Sequence, residues 1–342
     1  MLGYFQGPPP ICPSLTFPMF FSRRPVATLA ISMRPTSGPW GGSSIFVSQL
    51  RDFLTARGWR VRFDLHPEVD AIMVIDPRED LQFKTFGLRE ITAFKEKHPR
   101  VKIIHRVNEC DQRKGTDWMD KMLAGANAQA DLTVFISAWL RDYHTQRWFD
   151  SARPHMVIYN GAPARFFHPL GAARWREGEP MRVVTHHWSD NPLKGFAEYE
   201  QVDALIAEGK LPGFELWIIG RWPKTITWRS ARTFPPAAGR KLGELIRQGH
   251  LYITATRWEP CGMHHVEGAQ CGLPLVYHRD GGGVVEAGLR YGVGFATDVK
   301  TALLEARELY GDLRHRLLAA MPSGDRMCLE YIEAMQASLV GA

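Results

Sequence analysis

The chain has 342 residues, 45% hydrophobic and 23% charged, the balance of an ordinary globular protein long enough for two domains. That excludes a chain disordered throughout, a collagen-like fibre and a disulfide scaffold. A formal net charge of +6, spread over this length, suits an anionic ligand or a weak contact with a membrane surface and does not point to nucleic acid.

The five cysteines are an odd number without a C-x-x-C or zinc spacing, so reduced thiols in a cytoplasm are the simplest reading. No run approaches the roughly 20 apolar residues that span a bilayer.

In chain order, residues 1–25 are proline-rich and read as a flexible arm. Residues 27–33 predict a strand. Ile45, Phe46, Leu50, Phe53 and Leu54 then fall at helical spacing over 43–57, ended by Gly58. Residues 59–65 read as a half-buried strand and 71–75 as a continuous apolar run. A helix over 86–97, a strand over 101–105, a helix over 115–130, a strand over 132–136, a Ser-capped helix over 137–147 and a strand over 155–159 follow. Unbroken apolar strands alternating with helices predict a parallel sheet covered on both faces.

Asn160-Gly161, Pro163, Pro169 and Pro180 break the pattern. The alternation then restarts: strand 182–186, helix 194–207, strand 214–219 closed by Gly220, helix 239–248, strand 251–254, helix 263–271, strand 275–277 and helix 284–289. Helical sequence runs from Lys300 to the end. The expected organisation is an arm (1–25), a first Rossmann-like domain (26–168), a second (169–320) and a C-terminal helix (321–342) that crosses back to the first. The fold class is α/β, with two doubly wound domains facing each other across a cleft. Ligands of such sheets sit at the carboxyl ends of the strands.

The densest chemistry is segment 258–274, W-E-P-C-G-M-H-H-V-E-G-A-Q-C-G-L-P. It follows a strand and opens a helix near Met263, whose first N–H groups are unpaired and lie at the positive end of the helix dipole. Gly262 lets that backbone approach a ligand. Glu267 lies one turn in, on the face shared with Met263 and Cys271, where its carboxylate suits the vicinal diol of a ribose. Glu259, on the preceding loop, suits sugar hydroxyls. The same two glutamates also fit a purely structural role as complements of the helix dipole.

With the following G-G-G-V-V-E, this segment resembles the signature of retaining GT-B glycosyltransferases, in particular glycosyltransferase family 4, whose two glutamates stand eight positions apart as Glu259 and Glu267 do. Gly41-Gly42, the segment 157–169, Lys194-Gly195 and L-W-I-I-G at 216–220 arrive in the family's order, so the resemblance spans about residues 27 to 310. It implies transfer of a hexose-type sugar from a nucleotide diphosphate sugar to a hydroxyl of a glycan, lipid-linked or polysaccharide-precursor acceptor, with retention, no cofactor and no metal. Glu267 would hold the ribose and Glu259 the donor sugar. Gly262, Met263 and His264 would offer backbone N–H groups, and Lys194 would neutralise the diphosphate. Gly41 and Gly42 would close over the phosphates, and Gly220 would leave room near the base. His105, at the end of the strand from residue 101, is the expected cleft residue of the first domain, where many family members have a histidine close to the donor sugar; it fits equally a structural role, closing the strand and bonding to backbone.

One departure is Ser189, where the family commonly places a second cation five positions before the lysine. Arg221, which reads first as a surface residue, and His186 or His187 are the nearby substitutes, and adjacent strand residues allow only one of the two histidines to face a phosphate. The charge run Asp111, Arg113, Lys114, Asp117 reads as a solvated helix face. The absence of G-x-G-x-x-G, a Walker loop, G-x-S-x-G and H-E-x-x-H argues against the functions those motifs carry. A sugar-nucleotide epimerase or hydrolase of the same architecture, or a non-catalytic subunit of a glycan-synthesis complex, fits the same residues. A cytoplasmic site, with at most a peripheral contact at the inner membrane face, completes the expectation.

Overall fold

The computed structural model describes residues 25–36, 42–79 and 81–340. Gly41 and the expected arm, apart from Pro25, lie outside the described residues. The first domain runs β1 (Thr28–Ile31), α1 (Gly42–Thr55), β2 (Arg60–Arg62), β3 (Ala71–Val74), α2 (Leu88–Lys97), β4 (Lys102–Val107), α3 (Asp111–Lys114), α4 (Met119–Asn127), β5 (Leu132–Phe135), α5 (Ala138–Thr145) and β6 (His155–Val157). The second runs β7 (Met181–His187), a single 3-10 turn Pro192–Lys194, α6 (Phe196–Ala207), β8 (Phe214–Gly220), β9 (Arg232–Phe234), α7 (Gly239–Ile246), β10 (Leu251–Thr254), α8 (Met263–Gln270), β11 (Leu275–His278), α9 (Val284–Tyr291) and β12 (Gly292–Phe295). Helices α10 (Val299–Glu308), α11 (Tyr310–Ala319) and α12 (Gly324–Val340) end the chain.

Among the described residues both sheets have six strands, ordered β2-β1-β3-β4-β5-β6 and β12-β11-β10-β7-β8-β9, and these strands all pair in parallel. Helices cover both faces, which is why β1, β3, β5 and β10 are buried at every position. The strand order reverses between β1 and β3 in one sheet and between β7 and β10 in the other. Those switch points open crevices at the carboxyl ends of the strands, and the two crevices face each other.

Three local expectations change. The helix expected over 115–130 is instead α3 and α4, separated by Gly115 in the left-handed region at φ 67°. Strand β4 continues to Val107. Strand β12 was hidden by Gly292 and Gly294, residues that depress strand propensity. Both are required, because a Cβ on Gly294 would stand 2.9 Å from the Tyr277 ring and one on Gly292 2.7 Å from the Leu275 carbonyl oxygen.

Helix α12 lies against the first domain. Met327, Cys328, Tyr331 and Met335 join the core that holds Leu29 and Phe46, and the rings of Phe46 and Tyr331 are 5.1 Å apart. The chain therefore passes between the domains twice, and the two passages touch. A Cβ on Gly161 would stand 2.2 Å from the Ser323 carbonyl oxygen. Gln270 clamps the first passage, accepting from Ala162 N–H (2.6 Å) and donating to its carbonyl (2.9 Å). Replacing Gly161 with Ala is expected to push the two passages apart and destabilise the protein by about 1–3 kcal/mol. Urea unfolding of the variant measures this, and an unchanged midpoint contradicts the close contact.

Candidate active site

Between the facing carboxyl ends lies a cavity of about 330 Å³. Gly42, Arg106 and Arg113 reach it from the first domain, and Lys194, Glu259, Gly262, Met263 and His264 from the second. An adjoining chamber of about 170 Å³ shares Ile45 and Trp188 with it and is lined by Glu267. The two glutamates of segment 258–274 thus line two adjoining spaces.

Steric constraints fix the loops that carry these groups. Lys194 ends the 3-10 turn at Gly195, whose φ of 80° and missing Cβ are both required, since a Cβ would stand 2.3 Å from that of Ala255. The Glu259 loop is pinned along residues 281–283. Glu259 N–H donates to the Gly281 carbonyl, and Gly283 N–H to the Glu259 carbonyl. A Cβ on Gly283 would overlap the Pro260 carbonyl oxygen at 1.8 Å, which explains the triple glycine. Just before Glu259, Trp258 takes a φ of 52°, a backbone strain of the kind that persists only where surrounding structure enforces it. Across the cleft, Gly42 at the start of α1 leaves space that Met263 fills, with its Cγ 2.7 Å from where a Cβ would be.

Glu259 is the electrostatic centre. Its Oε2 accepts from Lys194 Nζ at 2.9 Å and lies 3.0 Å from Arg113 Nη2. Burial alone would push this carboxyl up, but Lys194 and then Arg113 outweigh it and hold it at about 2. Nearby, Lys114 pairs with Glu109 at 2.8 Å.

Glu267 is almost fully buried, and its Oε2 is 2.7 Å from His186 Nε2. The tautomer follows from the partners. With Nε2 donating to the carboxylate, Nδ1 accepts from the Tyr252 hydroxyl at 2.9 Å, and that hydroxyl accepts from His186 N–H at 3.2 Å. His187 turns the other way, to Tyr199 and Thr185. The adjacent His264 and His265 also diverge. His264 lines the cleft and bonds Thr254 Oγ1 at 3.0 Å, whereas His265 lines another cavity together with Glu286 and Met327.

The structure corrects several expectations. His105 is not a cleft residue. It is fully buried, its Nδ1 accepts from Asn127 at 3.1 Å, and burial pushes it down to about 3. Because β4 runs to Val107, its neighbour Arg106 is the residue that reaches the cleft, where Asn160 Oδ1 accepts from it at 2.8 Å. Gly220 lines neither chamber, and the space its missing side chain leaves is taken by the His187 carbonyl oxygen, 2.0 Å from where a Cβ would be. Arg221 is exposed. Arg113 is no solvated residue but is buried at the cleft. Nothing in the local sequence marks it, because the run around it is charged and hydrophilic.

No protein-family model and no curated protein matches the chain. Solved structures do. Sucrose-phosphate synthase from Thermosynechococcus elongatus superposes with a TM-score of 0.65 at 16% identity, covering 94% of this chain and 100% of that one. The fold is GT-B. Anabaena HepE, solved in complex with UDP, gives 0.64 at 14% identity over 91% of this chain and 100% of its own. WaaG, a glycosyltransferase involved in lipopolysaccharide biosynthesis, gives 0.62 at 14% identity over 90% and 99%. In this GT-B chain, no group of three or more His, Cys, Asp or Glu residues among the described residues is arranged to hold a metal ion.

Burial keeps His105, His144, His187, His264 and His265 neutral, with each pushed below its usual value. The unfolded chain takes up these protons near its ordinary histidine value and the folded chain does not. Stability is therefore full above about pH 6.5 and falls as pH drops, by about 1.4 kcal/mol per pH unit for each imidazole that stays neutral. The urea midpoint is expected to decrease between about pH 7 and about pH 5. A midpoint that rises over that range contradicts neutral buried histidines.

Proposed function

We propose that this chain is a retaining, metal-independent glycosyltransferase that moves a hexose-type sugar from a nucleotide diphosphate sugar to a hydroxyl of a glycan, lipid-linked or polysaccharide-precursor acceptor. One observation carries the reading. Glu259 and Lys194 meet in the cleft beside the amide-bearing start of α8, while Glu267, eight positions on, lines the adjoining chamber. The GT-B fold, shared with the glycosyltransferase WaaG and with HepE, which was solved holding UDP, supports it. The cleft volume lies within the range of small-molecule sites.

In this reading the nucleoside enters the smaller chamber and its ribose hydroxyls donate to Glu267, which His186 and Tyr252 hold in place. The sugar lies in the larger cavity, with hydroxyls on Glu259. The diphosphate meets Lys194 and the N–H groups of Gly262, Met263 and His264, where a helix start and a lysine stabilise the developing negative charge. The bond from the anomeric carbon to the phosphate oxygen breaks and its electron pair stays on the diphosphate. The acceptor oxygen bonds to the anomeric carbon on the same face, and the acceptor proton passes to a diphosphate oxygen. No protein base is needed. No helix among the described residues is long and apolar enough to cross a membrane. The protein we propose works in the cytoplasm, touching the inner membrane face only peripherally.

Removing one preorganised charge partner costs about 3–4 kcal/mol of transition-state stabilisation. Glu259→Ala and Lys194→Ala are each expected to lower kcat by at least about tenfold when assayed at a temperature where the variant, destabilised by the charge left uncompensated, is still fully folded by circular dichroism. A panel of uridine, adenosine and guanosine diphosphate sugars with sugar and lipid-linked acceptors, read by released nucleoside diphosphate and glycosylated product, checks this. Wild-type turnover in either variant contradicts the assigned roles.

A further inference from the structure

The cavity holds more positive charge than its visible partners neutralise. Arg106, Arg113, Lys114 and Lys194 line it against two carboxylates, Glu109 and Glu259, a surplus of two. Lys114 is occupied by Glu109. Arg113 and Lys194 share a single oxygen of Glu259. The Arg113 side chain is 9% exposed, and its Nη1 is buried with no hydrogen-bond partner. A buried guanidinium nitrogen left without an acceptor is costly unless a ligand supplies one. Ser189 lines the same cavity and brings no charge.

We propose that Arg113 is the second cation for the leaving diphosphate, delivered from the opposite domain. The inference rests on the glycosyltransferase reading and adds to it a residue of the first domain that touches the donor. Arg113 is held ready by its own short helix. Asp111, at the start of α3, accepts from Thr116 Oγ1 and Met119 N–H, and Gly115 turns the chain sharply at the end. In the ligand-free protein Arg113 rests on Glu259. When the donor enters, a phosphate oxygen replaces that carboxylate, and Glu259 is released to accept the hydroxyls of the sugar. A guanidinium bridging from the first domain to a ligand seated on the second draws the two together, so occupancy by a diphosphate and closure of the cleft are one event.

Calorimetric titration of the full chain with UDP, ADP and GDP, and with the matching nucleoside monophosphates, tests this. Arg113→Gln and Arg113→Met both remove the charge, and the Met variant preserves the packing of the stem should the Gln variant fail to fold. The folded variant is expected to bind the preferred nucleoside diphosphate at least about tenfold more weakly than wild type, and the monophosphate within about threefold. Arg113→Lys is expected to recover most of the loss. Equal affinity for the diphosphate in variant and wild type overturns the proposal and leaves the glycosyltransferase reading standing, and so do equal losses for mono- and diphosphate. If wild-type protein binds none of the three diphosphates, the underlying reading falls and Arg113 falls with it.

Discussion

A single oxygen, Oε2 of Glu259, is claimed by a lysine of one domain and an arginine of the other. Everything else in the cleft is arranged around that shared contact. Three ionic groups taken largely out of water are tolerable only because each compensates another, and deleting one member of a buried pair typically costs about 3–5 kcal/mol. The contact also joins the two sheets at the place where their crevices face. Any anion that enters must compete with Glu259 for the same two cations, so the site exchanges one negative group for another.

The glycines explain how so much chemistry is brought within so small a volume. Gly195 lets the Lys194 turn rest on Ala255, and Gly283 lets the Glu259 loop rest on the next turn of chain. Glu286, at the end of the same G-G-G-V-V-E run, reaches into the first domain. It accepts from the N–H groups of Ala138 and Trp139 at the start of α5 and from the Tyr159 hydroxyl, a carboxylate placed at the positive end of a helix. The motif therefore shapes one wall of the cleft and fastens that wall to the opposing domain. Glu267 is oriented by a different device, a closed set of hydrogen bonds through His186 and Tyr252 that leaves no freedom of tautomer.

The fold was legible because buried parallel strands are apolar at every position and the helices between them keep their period. The loops around Glu259 and Lys194 were legible because the glycines they need are written in the chain. His105 reads as a cleft residue because β4 reads as ending there; the strand continues to Val107, so His105 faces Asn127 within the domain and Arg106, on the opposite face, reaches the cleft. Arg113 was misread for a different reason. Local sequence shows a charged, hydrophilic run, and only the packing of a short helix beneath the second domain shows that its guanidinium points inward. Gly220 carries the signature of a residue that makes room, yet the room serves the His187 carbonyl. Sequence reveals that space is needed without saying what fills it.

A structure of the full chain with its preferred nucleoside diphosphate bound tests the central claim most directly. The account predicts the diphosphate within hydrogen-bond distance of both Lys194 and Arg113, the ribose on Glu267, and the contact between Glu259 and Arg113 broken. A nucleotide bound outside the cleft, or one inside it with that contact intact and Glu267 untouched, contradicts the account.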